Sequence, residues 1–259
     1  MNRAEKEQIK KDYFDLSTKL TKQRRVFDEY LLYCERELAL NALALENSLS
    51  PDDLFLAIEH TRQKNNYSKD NPLSLAVVEY DCLITTFPEL RHRARRKNRL
   101  EFDDLLELHF NLYQRTRYNI AGKLRKNKPD QSAINNGGSP HTILEEQCTQ
   151  HLEWLWDRLN LFETVSDANF FEIFYVATEI HLRFRQAHPF EHGSMVIAVL
   201  LYNYVHYYTG LLPNIIYYDD RQLYFEQLKK SNMADFTGLI NFFLASFEKT
   251  NRINRVTAL

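Results

Sequence analysis

Chain breakers are scarce in this sequence. Only 6 glycines and 7 prolines interrupt 259 residues, and three of those glycines and two of those prolines fall between residues 119 and 141. A sandwich or barrel needs many more tight turns than this spacing permits. The scarcity predicts a mainly α chain, a helical bundle with one irregular segment at 119–141 that has room for a short β-hairpin flap.

The hydrophobic pattern supports helices. Residues 4–46 contain no Gly or Pro, and Tyr13, Leu16, Leu20, Phe27, Leu31, Cys34, Leu38 and Leu45 recur near three-to-four spacing. The polar residues Lys22 to Arg25 offer a break into two helices. Ser50 followed by Pro51, Asp52 and Asp53 is a helix start, with a hydroxyl cap, a proline in the first turn and acids near the positive end of the dipole. Another helix is expected from Pro72, ended or kinked at Pro88. Further helical patterns cover about 142–161, 166–186, 194–209, 219–230 and 235–249. With 17 Phe and 15 Tyr, the core should be rich in aromatic rings.

Charge and cysteine content exclude several classes. A net charge of −2 gives no global attraction to nucleic acid. The basic run Arg91 to Arg99 reads as a solvated helix end suited to the dipole, with phosphate or anionic lipid as the competing reading. Cys34, Cys82 and Cys148 are far apart and odd in number, so neither a disulfide framework nor a zinc site is expected. The start, Met1 to Lys6, is charged with no apolar run behind it, which predicts no signal peptide, no membrane span and a cytoplasmic protein.

The richest chemistry lies in His188-Pro189-Phe190-Glu191-His192-Gly193-Ser194-Met195-Val196. This stretch resembles the signature loop of the Fic family, HPFx(D/E)GNGRxxR. Three other stretches resemble the same family in the same order. Ala42 to Asn47 resembles the inhibitory-helix motif (S/T)xxxE(G/N), Ala121-Gly122-Lys123-Leu124-Arg125 resembles the AGxxR opening of the flap, and Arg221 to Tyr224 resembles the run into the final helices. The resemblance spans roughly residues 40–248. It implies an N-terminal helical extension over 1–65 carrying the inhibitory-like Glu46 and Asn47, a Fic-like domain over 66–250, and a tail over 251–259.

The family moves a nucleotide group, usually AMP from ATP with Mg²⁺, onto a protein hydroxyl. The resemblance makes His188 the general base, Phe190 an apolar anchor and Gly193 the glycine of close backbone approach. The rest of the signature departs. His192 stands for the metal-binding carboxylate, Ser194 for the anion-hole Asn, Met195 for the second glycine, and Val196 and Val199 for the two phosphate-gripping arginines. An imidazole suits Mg²⁺ poorly. Two lost guanidinium groups remove charge-assisted bonds of about 1.5–3 kcal/mol each. ATP with Mg²⁺ is therefore disfavoured as cofactor, and no residue set is assigned to a metal.

Two readings follow. In the first, the chain is a degenerate AMP-transferase relative, a binding or regulatory member that meets a protein partner through the flap at 119–141. In the second, it is an active transferase with His188 as base, holding an atypical donor through Arg125, Lys123, Ser194 or Arg221. The direction in which Arg125 and Arg221 point discriminates between them. Glu46 has lost its family partner at Val199, and reads either as a brake left without its partner or as a residue that only packs or caps locally.

Overall fold

The computed structural model describes residues 1–64, 71–126 and 145–257. Ten α-helices are found among the described residues. They are α1 (Arg3–Thr21), α2 (Arg24–Asn47), α3 (Pro51–Lys64), α4 (Pro72–Arg95), α5 (Phe102–Tyr113), α6 (Glu145–Leu159), α7 (Phe170–Ala187), α8 (Ser194–Thr209), α9 (Arg221–Lys230) and α10 (Thr237–Thr257). No strand occurs among the described residues. The expected hairpin falls largely on residues 127–141, which lie outside them.

The predicted breaks fall where the chemistry put them. Lys22 and Gln23 separate α1 from α2, and the Asp53 N–H donates to Ser50 Oγ at 3.3 Å at the start of α3. Of the two outcomes expected at Pro88, an end does not occur: helix α4 continues through it to Arg95. Val77, Leu83, Phe87, Leu90 and Ala94 are buried along its length, and packing against α2 and α8 outweighs the one backbone bond that the proline removes.

The core is built around α7 and α8, which lie side by side. Every residue of α8 is buried. Rings from three helices meet there: Phe174 and His206 lie 5.1 Å apart at their centroids, and Tyr202 stacks on Phe243 at 4.2 Å. Helices α1 and α2 belong to the same core through Ile9, Tyr13, Leu31, Cys34 and Leu38. The central pair thus holds rigid the one turn that joins it, residues 188–193.

Candidate functional site

The turn begins at His188, which caps α7 in the left-handed region at φ 48°. A non-glycine residue rarely adopts this conformation. The last carbonyls of α7 lack helical donors, and Arg125 supplies them. Its Nε donates to His188 O at 2.6 Å, its Nη2 to Ala187 O at 3.3 Å and its backbone N–H to Pro189 O at 2.9 Å. Arg125 is therefore a clamp on the back of the loop.

Phe190 is fully buried and stacks on His109 of α5 at 3.9 Å. The Gly122 N–H donates to His109 Nδ1 at 2.9 Å, so His109 Nε2 carries the proton and donates to His192 O, also at 2.9 Å. Burial pulls the His109 pKa down to about 4, which keeps the ring neutral. Gly193 opens α8 at φ +86°, and a Cβ there would meet Tyr113 Cε2 at 2.3 Å. The glycine is required by α5, through the left-handed backbone and the tyrosine ring together.

The first turn of α8 holds the central observation. The Gly193 N–H donates to Glu46 Oε1 at 2.7 Å and the Met195 N–H to Glu46 Oε2 at 3.0 Å. A carboxylate from the end of α2 thus occupies the free N–H groups of a helix N-terminus, where an anion is most stable. Burial pushes the Glu46 carboxyl up, but the charges of His192, Arg185 and His188 and the Gly193 N–H outweigh it, and the net direction is down. Glu46 therefore does more than cap its own helix. Its neighbour does not join it: Asn47 Nδ2 donates to Leu43 O within α2.

The remaining motif positions turn away from this carboxylate. Ser194 Oγ donates to Phe190 O at 3.0 Å and accepts the Phe190 N–H at 3.1 Å, which closes the loop internally. Met195 stands where the family has a glycine, and a side chain there does not have to face the anion site. Its sulfur lies 3.5 Å from the Tyr224 hydroxyl inside the core. Val196 and Val199 are 0% and 2% exposed. Arg221 lies 4.1 Å above the Tyr218 ring and donates to Tyr218 O. It lines a cavity of about 260 Å³ with Leu45, Ser48 and Phe225, beside the end of α2. Lys123 Nζ donates to Asn119 O.

Burial, the largest effect, and the neighbouring Arg185 charge hold His188 below the ordinary imidazole pKa, so the neutral form of a base is favoured. Its Nδ1 has no hydrogen-bond partner among the described residues. His181 of α7 is buried and bonded to the Tyr224 hydroxyl at 2.8 Å. No group of three metal-ligating side chains occurs among the described residues.

Four contributors were not singled out from sequence. Arg185, buried one turn before His188, is the cation that α7 brings to the site. Glu79 of α4, Tyr113 and His109 line the far side of the loop. Arg185 was within reach, because it precedes the loop in the matched stretch. Nothing local marks Glu79. The basic run is engaged in packing: Arg91 pairs with Glu35 at 2.7 Å, Arg99 with Glu101 at 2.9 Å, Arg93 with Asp104, and Lys97 holds the carbonyls of Glu163 and Tyr208.

The Fic/DOC family model matches residues 99–206. No curated protein sequence matches the chain. A Fic domain-containing signaling protein from Bacteroides thetaiotaomicron shares the fold at TM-score 0.69 and 19% identity, over 98% of this chain and 96% of that one. Fic-1 from C. elegans superposes at TM-score 0.69 and 18% identity, over 98% of this chain and 73% of that one. A Fic family protein from Desulfovibrio desulfuricans gives 0.67 and 16%, over 99% and 76%. No helix among the described residues is long and apolar enough to cross a membrane.

Proposed function

Because the chain belongs to the Fic/DOC family through residues 99–206, we propose that it is a member that has kept the scaffold and lost ATP–Mg²⁺ chemistry, and that it acts as a protein-binding or regulatory module. Family members generally transfer AMP or other groups to proteins, so a protein is the natural partner. One observation carries the reading. The N-terminus of α8 holds the carboxylate of Glu46, while Val196 and Val199, where the family places its arginines, pack into the core. A helix dipole contributes about 0.3–1 kcal/mol to an exposed anion, far less than two charge-assisted guanidinium contacts. Arg125 reaches loop carbonyls, Arg221 a tyrosine and Lys123 the Asn119 carbonyl, so the three cations that the sequence offered as substitutes are engaged elsewhere, which supports this reading.

Arg185 favours a second reading. A buried cation beside a neutral-leaning His188 could grip an atypical phosphate-containing donor while His188 takes a proton from a protein hydroxyl.

A thermal-shift panel of nucleotides with Mg²⁺ or Mn²⁺, run on wild type and on Glu46→Ala, separates them. Removal of Glu46 uncovers the N–H groups, so a flat result in the variant cannot be ascribed to the carboxylate. A ligand at 100 times its Kd adds about 2.7 kcal/mol. The binding-module reading expects no shift in either protein. A shift in Glu46→Ala that is donor-specific, with transfer to protein that disappears in Glu46→Ala/His188→Ala, overturns it in favour of the enzyme.

A further inference from the structure

His192 lies between two carboxylates, the buried Glu79 and the partly buried Glu46. Its Nδ1 is 3.6 Å from Glu46 Oε1 and its Nε2 is 3.8 Å from Glu79 Oε2. Glu79 is 1% exposed, and its other oxygen accepts from Thr116 Oγ1 and Arg117 Nε, both at 3.0 Å. Glu79 Oε2 and His192 Nε2 have no hydrogen-bond partner among the described residues. A neutral imidazole carries one N–H and one lone pair. Either tautomer therefore turns a lone pair toward one of the carboxylates, and only the imidazolium offers an N–H to both.

We infer that His192 is the pin of a proton-gated closure: charged His192 bridges Glu46 on α2 to Glu79 on α4 and holds Glu46 over the N-terminus of α8, and loss of the ring proton releases it. The other groups around the pin do not substitute for it. Arg185 and His188 face Glu46 from α7, Arg117 faces Glu79 from beyond α5, and Tyr113 of α5 presents its ring edge to His192. His109 of α5 meets His192 at its carbonyl and is neutral. Without the imidazolium, each carboxylate keeps one cationic neighbour and the bridge between them is gone.

The geometry suits release. Glu46 is the next-to-last residue of α2, and Ser48 ends that helix in the left-handed region at φ 54°. A terminal turn opens locally at far lower cost than the core. When Glu46 swings out, the N–H groups of Gly193 and Met195 face solvent and can receive an outside oxyanion. The sign follows from the bridge. Only the imidazolium gives an N–H to both carboxylates, so acid favours closure and rising pH opens the site, and an anion that displaces Glu46 removes one end of the bridge.

This inference concerns the loop that the proposed function rests on, but its test contains no nucleotide, so the two can fail separately. Amide hydrogen exchange at Gly193 and Met195 would be followed by NMR on the full chain from about pH 5.5 to about pH 8.5, the range in which imidazoles change charge, with intrinsic rates divided out. Wild-type protection at both amides should fall at least about tenfold across this range. In His192→Gln it should be low and level. In His192→Arg, which cannot lose its charge, it should stay high throughout. Level protection in wild type, or an equal fall in His192→Arg, overturns the pin, and the arginine variant keeps the test decisive if the glutamine variant does not fold.

Discussion

The two ends of α8 are made from one backbone and face opposite worlds. At its start, Gly193 and Met195 give their N–H groups to Glu46, and His192, Glu79 and Arg185 crowd the same turn with charge. One turn on, Val196, Ile197, Val199 and Leu200 are buried in apolar packing that continues to Thr209. The difference separates what a fold supplies from what a side chain supplies. Every helix start has free donors and a positive end, so the anion site persists whatever residues follow. Guanidinium groups are a matter of sequence, and here the sequence turned those positions into core.

The largest expected effect comes from reversing that change. Val199→Arg would place a cation where only 2% of the residue is exposed. A buried charge without a built partner costs about 3–5 kcal/mol, and urea unfolding should show a loss of that size. If the variant instead keeps wild-type stability, Val199 can turn toward Glu46, the two ends of α8 are not separate environments, and the family's arginine contact is one substitution away.

Glu46→Ala should come next. It leaves two N–H groups without an acceptor and His192 without one of its carboxylates, at a cost of about 2–3 kcal/mol near neutral pH. The pH dependence has a definite sign. Burial raises the Glu46 carboxyl, but His192, Arg185, His188 and the Gly193 N–H lower it further, so the folded value lies below the unfolded one. Its stabilisation is therefore complete above the unfolded carboxylate value of about 4.3 and is lost as pH falls through the lower folded value. Denaturation of both proteins across pH should show the gap between them closing in acid below that point, and narrowing above neutral pH only by the share that the His192 bridge contributes. A gap that is already absent at pH 6 would mean that the carboxylate is not held as the hydrogen bonds describe.

The same contrast explains what could be read in the sequence. Helix α8 was legible, because Gly193 and Gly210 bracket a mostly apolar run without breakers and both adopt positive φ. Helix α3 was legible through Ser50 and Pro51. The course of α4 was not, since its passage through Pro88 depends on partners that approach from α2 and α8. At the site, His188, Phe190 and Gly193 stand in a recognisable motif, and the structure brings them together in one turn. Arg125 was found but its direction was not, because the carbonyls it clamps exist only once α7 has ended. The Glu46–His192–Glu79 alignment was invisible. Glu79 lies in mid-helix far along the chain from His192, with no local pattern to distinguish a buried acid from a solvated one.

Ser194 offers the finest test, because it belongs to both halves of the comparison. Its backbone is the first residue of α8, yet its hydroxyl points back into the loop and exchanges hydrogen bonds with both polar groups of Phe190. Ser194→Ala would remove that exchange without touching the Gly193 and Met195 donors. The expected cost is about 1 kcal/mol, as for a lost hydroxyl cap, read as a small fall in the urea midpoint with unchanged exchange protection at Gly193 and Met195. If the hydroxyl instead helps to hold the carboxylate, protection at those two amides would fall with stability. Serine would then act as a surviving part of the anion site, and the boundary between backbone-supplied and side-chain-supplied chemistry would lie one residue further along the helix than the present hydrogen bonds put it.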